Sequence, residues 1–75
     1  MNFTDALNTI LKYGGHIRRS IYPQVEIFAN DKSLYSVYFN PELNTRSIIV
    51  AELSGEDVMA KDWEVNILGK FVTEG

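Results

Sequence analysis

The chain has 75 residues, of which 45% are hydrophobic and 23% are charged, as in one small folded domain and unlike a disordered segment. Ten Asp and Glu residues against seven Lys and Arg residues give a net charge of −3, which argues against the basic surface that binding to DNA, RNA or anionic lipid requires. There is no cysteine, so disulfides, thiolate metal sites and cysteine nucleophiles are excluded. The start of the chain lacks the pattern of a signal peptide, and its apolar runs are too short to cross a bilayer. We therefore expect one domain over residues 1–75, in the cytoplasm, with no nucleic acid or membrane partner.

The first predicted element is a helix over residues 3–13. Its apolar residues recur at helical spacing on one face: Phe3, Leu7, Ile10 and Leu11. Asn2 is expected to cap the first turn, and the pair Gly14-Gly15 to supply a left-handed stop.

Extended patterns follow, bounded by turn-forming residues. Alternation of side chains and the richness in aromatic and β-branched residues predict four strands, over residues 16–22, 25–29, 34–39 and 46–52. The fourth has a continuous apolar centre, which favours cover on both of its faces. The short connections between neighbouring strands favour antiparallel pairing.

The C-terminal part predicts a short helix and a last strand. Ser54 and Asp57 have the spacing of a capping box, which begins a helix over about residues 55–60. Alternation predicts a strand over residues 63–67, with Trp63 in the core; Gly69 is expected to interrupt it, Phe71 and Val72 to dock, and the final residues to fray. The fold class is therefore α+β: an N-terminal helix packed on a four- to five-stranded, mainly antiparallel sheet, with a short helix before the last strand.

Residues able to carry catalysis are few. His16 is the only histidine, and we expect it at the start of a strand, facing solvent. Glu52, Glu56 and Asp57 form an acidic cluster, but capping and the helix N-terminus account for Glu56 and Asp57 more simply than a metal or an acid–base pair. No phosphate-binding loop or nucleophile elbow is visible. We expect neither an enzyme nor a metal or other cofactor.

Arg18 and Arg19 are more informative. Being adjacent in a strand, they point to opposite faces of the sheet. Arg19 shares its face with Ile17 and Ile21, and an arginine among apolar neighbours needs an anionic partner. That partner is a carboxylate of this chain or of another subunit, or a ligand phosphate. Alternatively, the long side chain extends to water, and the sequence leaves these alternatives open.

Nine aromatic residues are more than so small a core can bury fully. Tyr35 and Phe39 share one face of the third strand and Tyr38 takes the other, either as half-buried packing or as a contact surface. Pockets for drug-sized ligands measure about 300–1,000 Å³. A domain with one thin core can hardly enclose that volume, so we expect any such pocket to lie between subunits of a homo-oligomer, a dimer or tetramer.

The chain resembles the small phage proteins of the Thoeris anti-defence type-two family. The opening stretch, residues 1–7 followed by Gly14-Gly15, is similar to the family's first helix and its glycine stop. Residues 16–22 resemble its basic strand, in which an arginine is followed three positions later by tryptophan. Residues 54–65, which include Asp62-Trp63-Glu64-Val65, are similar to the family's ending. Tyr22 stands where the family has that tryptophan.

This resemblance implies a non-enzymatic protein of the host bacterial cytoplasm that sequesters an immune signalling nucleotide, a cyclic ADP-ribose isomer or a related cyclic nucleotide, in pockets of a homo-oligomer. Arginine suits a diphosphate, and an aromatic plate suits a base. The expected ligand-binding residues are Arg18 and Arg19 for phosphates, Tyr22 for the base, and Asp62 or Asn66 for ribose hydroxyls or base edges. The alternative function is a protein–protein interaction module that inhibits a host protein through its aromatic strand and acidic surface.

Overall fold

The computed structural model describes residues 1–67 and 70–72. Over these residues the chain forms two helices and six strands: α1 (Phe3–Tyr13), β1 (His16–Arg19), β2 (Val25–Asn30), β3 (Ser33–Asn40), β4 (Thr45–Val50), α2 (Gly55–Met59), β5 (Trp63–Ile67) and β6 (Lys70–Val72). The strands form one antiparallel sheet in the order β4-β3-β2-β1-β5-β6. Helix α1 lies against β5, β1 and β2.

The predicted α+β class, with its N-terminal helix and its short helix before β5, is confirmed. Strand β6 pairs with β5, through the pair Asn66–Phe71 among others, so the sheet has six strands where four to five were predicted. The expectations for Gly69 and for residues 73–75 fall outside the described residues. No helix in the described part of the chain has the length and apolar character needed to span a membrane.

Local signals set the ends of α1. The Asn2 side chain accepts a hydrogen bond from the Asp5 amide at 2.8 Å, as predicted for an N-cap. At the other end, the Gly14 amide donates to the Ile10 carbonyl at 2.8 Å, and both Gly14 and Gly15 have positive φ. Such backbone angles favour glycine, so the helix ends where the sequence indicates.

Strand β1 is shorter than predicted. It ends at Arg19 and does not continue to Tyr22. The Tyr22 amide donates to the Arg19 carbonyl at 3.0 Å, and the Val25 amide donates to the Tyr22 carbonyl at 3.1 Å. These turns bring the chain back into β2, and they place Tyr22 beyond the end of the sheet ladder.

The core lies between α1 and the middle of the sheet. Its buried members come from the helix and from three central strands: Ala6, Ile10, Ile17, Ile27, Trp63 and Val65. Trp63 is only 1% exposed, which confirms its predicted place in the core. At about 25 cal/mol per Å² of apolar surface, each large buried side chain stabilises the fold by roughly 1.5–3 kcal/mol.

The expectation that the fourth strand is covered on both faces is wrong. All six residues of β4 are exposed, including Ile48, Ile49 and Val50. The physical reason is position: β4 is an edge strand beyond the reach of α1, so its apolar run meets no second layer in this chain.

The sheet register defines two surfaces. We call the side that carries α1 the helix face; it includes Ile17, Arg19 and Trp63, since Arg19 and Trp63 are cross-strand neighbours. The opposite side, the open face, includes Arg18 and its cross-strand neighbour Glu64. The two adjacent arginines thus lie on opposite faces, as predicted from strand geometry.

Candidate functional site

A pocket of about 230 Å³ lies on the helix face, lined by the sheet and by the connection from β4 to β5. The residues that matter chemically come from both sides of it: Arg19, Tyr22, Ser36, Tyr38, Glu52 and Asp57. The pocket therefore sits within one chain, below the usual size for a drug-sized ligand. Its volume would accommodate only part of such a molecule.

The charged centre of the site is Arg19 held by two carboxylates, which we call the Arg19 clamp. Its Nε donates to Asp62 Oδ1 at 2.5 Å, and its Nη1 donates to Asp57 Oδ1 at 2.8 Å. Ser20 Oγ donates to the other oxygen of Asp62 at 2.9 Å. The Arg19 side chain is 12% exposed, so the clamp fixes the direction of the guanidinium in a partly desolvated setting.

One end of the guanidinium remains available. Arg19 Nη2 has no acceptor among the described residues, since Nε and Nη1 make the two bonds. Every fully buried side-chain nitrogen in the described part of the chain has a hydrogen-bond partner. Since Nη2 has none, it is not fully buried and is accessible to solvent. Its two N–H groups can donate to a ligand acceptor at the pocket.

The clamp holds its members in their charged forms. Hydrogen bonding to Asp62 raises the pKa of Arg19, against partial burial, and Asp57 adds to the increase. Burial alone would raise the pKa of Asp62, but hydrogen bonds from Arg19 and Ser20 outweigh it and the pKa is lowered. For Asp57, burial is likewise outweighed by the Ser54 amide and Arg19, so its pKa is also lowered.

Asp57 belongs to a short helix that is fixed at several points. It forms the predicted capping box with Ser54, whose side chain accepts from the Asp57 amide at 3.1 Å. Trp63 Nε1 donates to the Asp57 carbonyl at 2.9 Å. The core tryptophan and Arg19 together position α2 at the pocket.

Two tyrosine rings lie at the opening. Tyr22 is 50% exposed and Tyr38 is 44% exposed, although both line the pocket. The guanidinium carbon of Arg19 lies 5.9 Å from the centroid of the Tyr22 ring, a cation–π distance. A planar group entering the pocket would meet these rings beside a fixed cation.

Ser36 supplies a polar group to the floor. It is 4% exposed and lies on β3 opposite Ile27 and Ile49. Its hydroxyl makes no hydrogen bond to another described residue. Every fully enclosed side-chain nitrogen or oxygen in the described part of the chain has a hydrogen-bond partner, so this hydroxyl is not fully enclosed. The hydroxyl is therefore reached from the pocket, where it can donate and accept.

The predicted site residues divide between the two faces. Arg19, Tyr22 and Asp62 come together, with Asp62 acting through its bonds to Arg19. Arg18 lies on the open face, where its Nε donates to Glu64 at 2.9 Å. Asn66 is also on the open face, so neither Arg18 nor Asn66 reaches the pocket.

Of the anionic partners considered for the two arginines, the structure shows carboxylates of the same chain. Arg18 pairs with Glu64, and Arg19 pairs with Asp57 and Asp62. His16, expected to face solvent, starts β1 and is partly exposed, with its Nδ1 3.1 Å from Glu26 on the open face.

Four pocket residues were not among the predicted ligand-binding residues. Ser36 had no predicted role, Tyr38 was expected only in packing or in a contact surface, and Glu52 and Asp57 were placed in an acidic cluster, in which capping accounted for Asp57. Asp57 performs both functions, because one oxygen serves the helix start and the other serves Arg19. A serine at an inward position of β3 was the available signal for Ser36. The acidic cluster of Glu52, Glu56 and Asp57 was the available signal for Glu52.

Within residues 1–67 and 70–72, no group of three or more His, Asp or Glu side chains is arranged to hold a metal ion. Comparisons with models of protein families, with curated proteins and with solved structures found no match for this chain.

Proposed function

We propose that this protein is a non-enzymatic binding protein that captures a signalling nucleotide, a cyclic ADP-ribose isomer or a related cyclic nucleotide, and holds it intact. The observation that carries the proposal is the Arg19 clamp beside the half-exposed Tyr22 and Tyr38 rings. It presents a fixed N–H donor next to aromatic faces, which is the combination that a base and its attached polar groups require.

The chemistry of the pocket suits the nucleoside part of such a ligand. Stacking of a base on Tyr22 is worth about 1–3 kcal/mol. Carboxylates accept hydrogen bonds from ribose hydroxyls, and Asp57 and Glu52 both line the pocket. The two negative charges of Asp57 and Asp62 exceed the single positive charge of Arg19. Because the clamp is therefore negative overall, a diphosphate is better placed toward the opening, near Nη2.

The protonation states support binding over acid–base catalysis. A general acid or base works best with a pKa near the operating pH. The raised pKa of Arg19 and the lowered pKa values of Asp57 and Asp62 move all three groups away from neutrality. Groups held in this way orient a ligand, since they do not exchange protons readily at pH 7.

The wider assignment follows from the resemblance of residues 54–65 and of the opening helix to the Thoeris anti-defence type-two family. We propose membership in that family and a phage-encoded anti-defence role in the host cytoplasm, in which capture lowers the free concentration of the messenger. Because a pocket of about 230 Å³ holds only part of a nucleotide, we also propose that the working form is a homo-oligomer, a dimer or tetramer.

The test is depletion followed by release. The protein is mixed with a cyclic ADP-ribose isomer, free ligand is measured after ultrafiltration, and the protein is then heat-denatured. We expect depletion followed by recovery of unchanged ligand. Because Trp63 is the only tryptophan and lines the pocket, its fluorescence provides the binding curve.

The matched variants are Tyr22→Ala and Tyr13→Ala. Tyr13 is 65% exposed on α1 and does not line the pocket. Loss of stacking predicts about 5- to 150-fold weaker binding for Tyr22→Ala and unchanged binding for Tyr13→Ala. Recovery of an altered nucleotide, or no depletion of any cyclic nucleotide tested, would overturn the proposal.

A second candidate is a protein-binding module that inhibits a host protein. The open face favours it, since Phe39 and Val50 are exposed there and the rings of Phe28 and Tyr35 stack at 5.6 Å. The same depletion experiment separates the two candidates, because a module of this kind leaves the nucleotide in solution.

A further inference from the structure

Strand β4 is an unguarded sheet edge. All six of its residues are exposed, with Ile48 at 61% and Val50 at 64%. Natural sheets protect their edges with proline, bulges or several charges. Residues 45–50 contain no proline, and Arg46 is their only charged residue, so this edge presents free backbone groups beside apolar side chains.

The ladder with β3 shows which backbone groups are free. The Ala51 amide donates to the Leu34 carbonyl at 2.9 Å, one step beyond the cross-strand pair Tyr35–Val50. In an antiparallel ladder, hydrogen-bonded residues alternate. The odd-numbered residues of β4 therefore bond to β3, whereas Arg46, Ile48 and Val50 direct their amides and carbonyls away from the sheet.

We propose that β4 pairs antiparallel with β4 of a second copy of this chain, with Ile48 opposite Ile48 of the partner subunit. In this register Arg46 faces Val50 of the partner subunit. All three outward residues of each strand then form hydrogen-bonded pairs, and the two sheets join into one.

Registers shifted by two residues, which keep the same residues hydrogen-bonded and the same side chains on each face, fit less well. A shift of two residues one way brings Asn44 into the ladder, but Asn44 has φ 52° and is not extended. A shift of two the other way needs Glu52, which lies past the end of β4 and lines the pocket instead. Only the central register keeps every pair within residues 45–50.

Local charge does not prevent a second copy from pairing at this edge. Two copies with a net charge of −3 repel one another, but β4 carries no acidic residue. In the proposed register the two Arg46 Cα atoms are separated by four residues, roughly 14 Å along the strands. That exceeds the screening length of about 8 Å at physiological salt, so the cations do not oppose the pairing, while Ile48 and Val50 lose water from both copies.

This interface between two β4 strands, which we call the seam, would be one interface of the homo-oligomer proposed above. Its formation does not depend on a nucleotide. Its test uses no ligand, so the seam and the binding function fail separately. Because the chain has no cysteine, single-cysteine variants report proximity without background.

The variants compared are Ile48→Cys and Val50→Cys, which are similarly exposed and lie on one face of one strand. At a central hydrogen-bonded pair the Cα atoms are about 5.5 Å apart, within disulfide range. Mild oxidation should convert Ile48→Cys to a covalent dimer. Val50→Cys should stay largely uncrosslinked, since its two copies are roughly 14 Å apart. Equal crosslinking of both, or none of Ile48→Cys, would overturn the register.

Sedimentation tests the seam itself. We expect the unmodified protein to be a dimer or a larger even-numbered oligomer, Ile48→Lys to lose this association with an unchanged circular dichroism spectrum, and Leu43→Lys to retain it. Leu43 is 69% exposed in the turn before β4 and controls for added charge. A monomeric unmodified protein, or Ile48→Lys that still associates, would show that β4 is not the seam between copies.

Discussion

Arg19 and Asp57 lie 38 residues apart in sequence and are joined by a hydrogen bond of 2.8 Å. Through this contact, a strand in the middle of the sheet holds the short helix α2 against the pocket. Asp57 also serves as the N3 residue of that helix. A single carboxylate therefore contributes to helix capping, to an ion pair and to the shape of the site.

We expect Asp57→Asn to destabilise the protein by about 1–2 kcal/mol, because the amide keeps one acceptor oxygen but loses the charge that Arg19 faces. Glu56→Gln is the matched control, since Glu56 lies in the same first turn and makes no ion pair with a described residue. Urea unfolding followed by Trp63 fluorescence measures both. Equal losses would show that the helix dipole, and not the Arg19 contact, is responsible.

The pH dependence of stability follows from the lowered pKa values of Asp57 and Asp62. Near neutral pH both groups are ionised in the folded and unfolded chains, and the clamp contributes fully. As the pH falls below about 5, toward the ordinary Asp value, the unfolded chain takes up protons before the folded one does, so stability declines. The raised pKa of Arg19 has no effect in this range.

The measurement is the unfolding free energy between pH 7 and pH 3, for the unmodified protein and for Asp62→Asn. At pH 7 we expect Asp62→Asn to have a lower unfolding free energy than the unmodified protein. Its unfolding free energy should also fall less steeply as the pH is lowered. Parallel curves for the two proteins would mean that the acid sensitivity arises elsewhere.

Gly15→Ala should cost at least about 1–3 kcal/mol. Gly15 has φ 104°, and an added Cβ would overlap the backbone carbonyl of Asn66. Gly55→Ala is the control, because that position is in α2 with open space around it, and alanine there is neutral or stabilising. Thermal unfolding compares them, and a Gly15→Ala midpoint equal to that of the unmodified protein would refute the close approach.

Asn66→Ala should leave nucleotide affinity unchanged, because Asn66 lies on the open face, away from the pocket. Ser36→Ala should weaken binding by about 2- to 13-fold, the loss of one hydrogen bond, while the fold is retained. Titration by Trp63 fluorescence measures both affinities. A strong effect of Asn66→Ala would show that the ligand binds on the open face, which would contradict the proposed binding at the pocket.

The parts of the fold predicted from sequence are those that depend on neighbours along the chain. The Asn2 cap, the Gly14 stop and the Ser54 capping box are local contacts, and their signals are local. Burial of β4 was predicted wrongly because the apolar run 48–50 is compatible with a central strand or with an edge. The position of a strand in a sheet depends on pairing with distant segments, which periodicity does not encode.

The site was predicted in part for the same reason. Strand geometry correctly separated Arg18 from Arg19, and it identified Arg19 as an arginine in need of an anion. The anions come from residues 38 and 43 positions later. No spacing rule links these positions, so the assembled clamp could only be seen once the chain was folded.

Helix α2 has five residues, and an isolated helix of this length is unstable in water. Its order depends on contacts from outside itself, with Arg19 on one side and the Trp63 indole on the other. Its amides should therefore exchange deuterium through a local opening that needs less free energy than unfolding of β2 and β3. One wall of the pocket is in this sense a separate cooperative unit, and a bound molecule that touches Asp57 would slow its exchange.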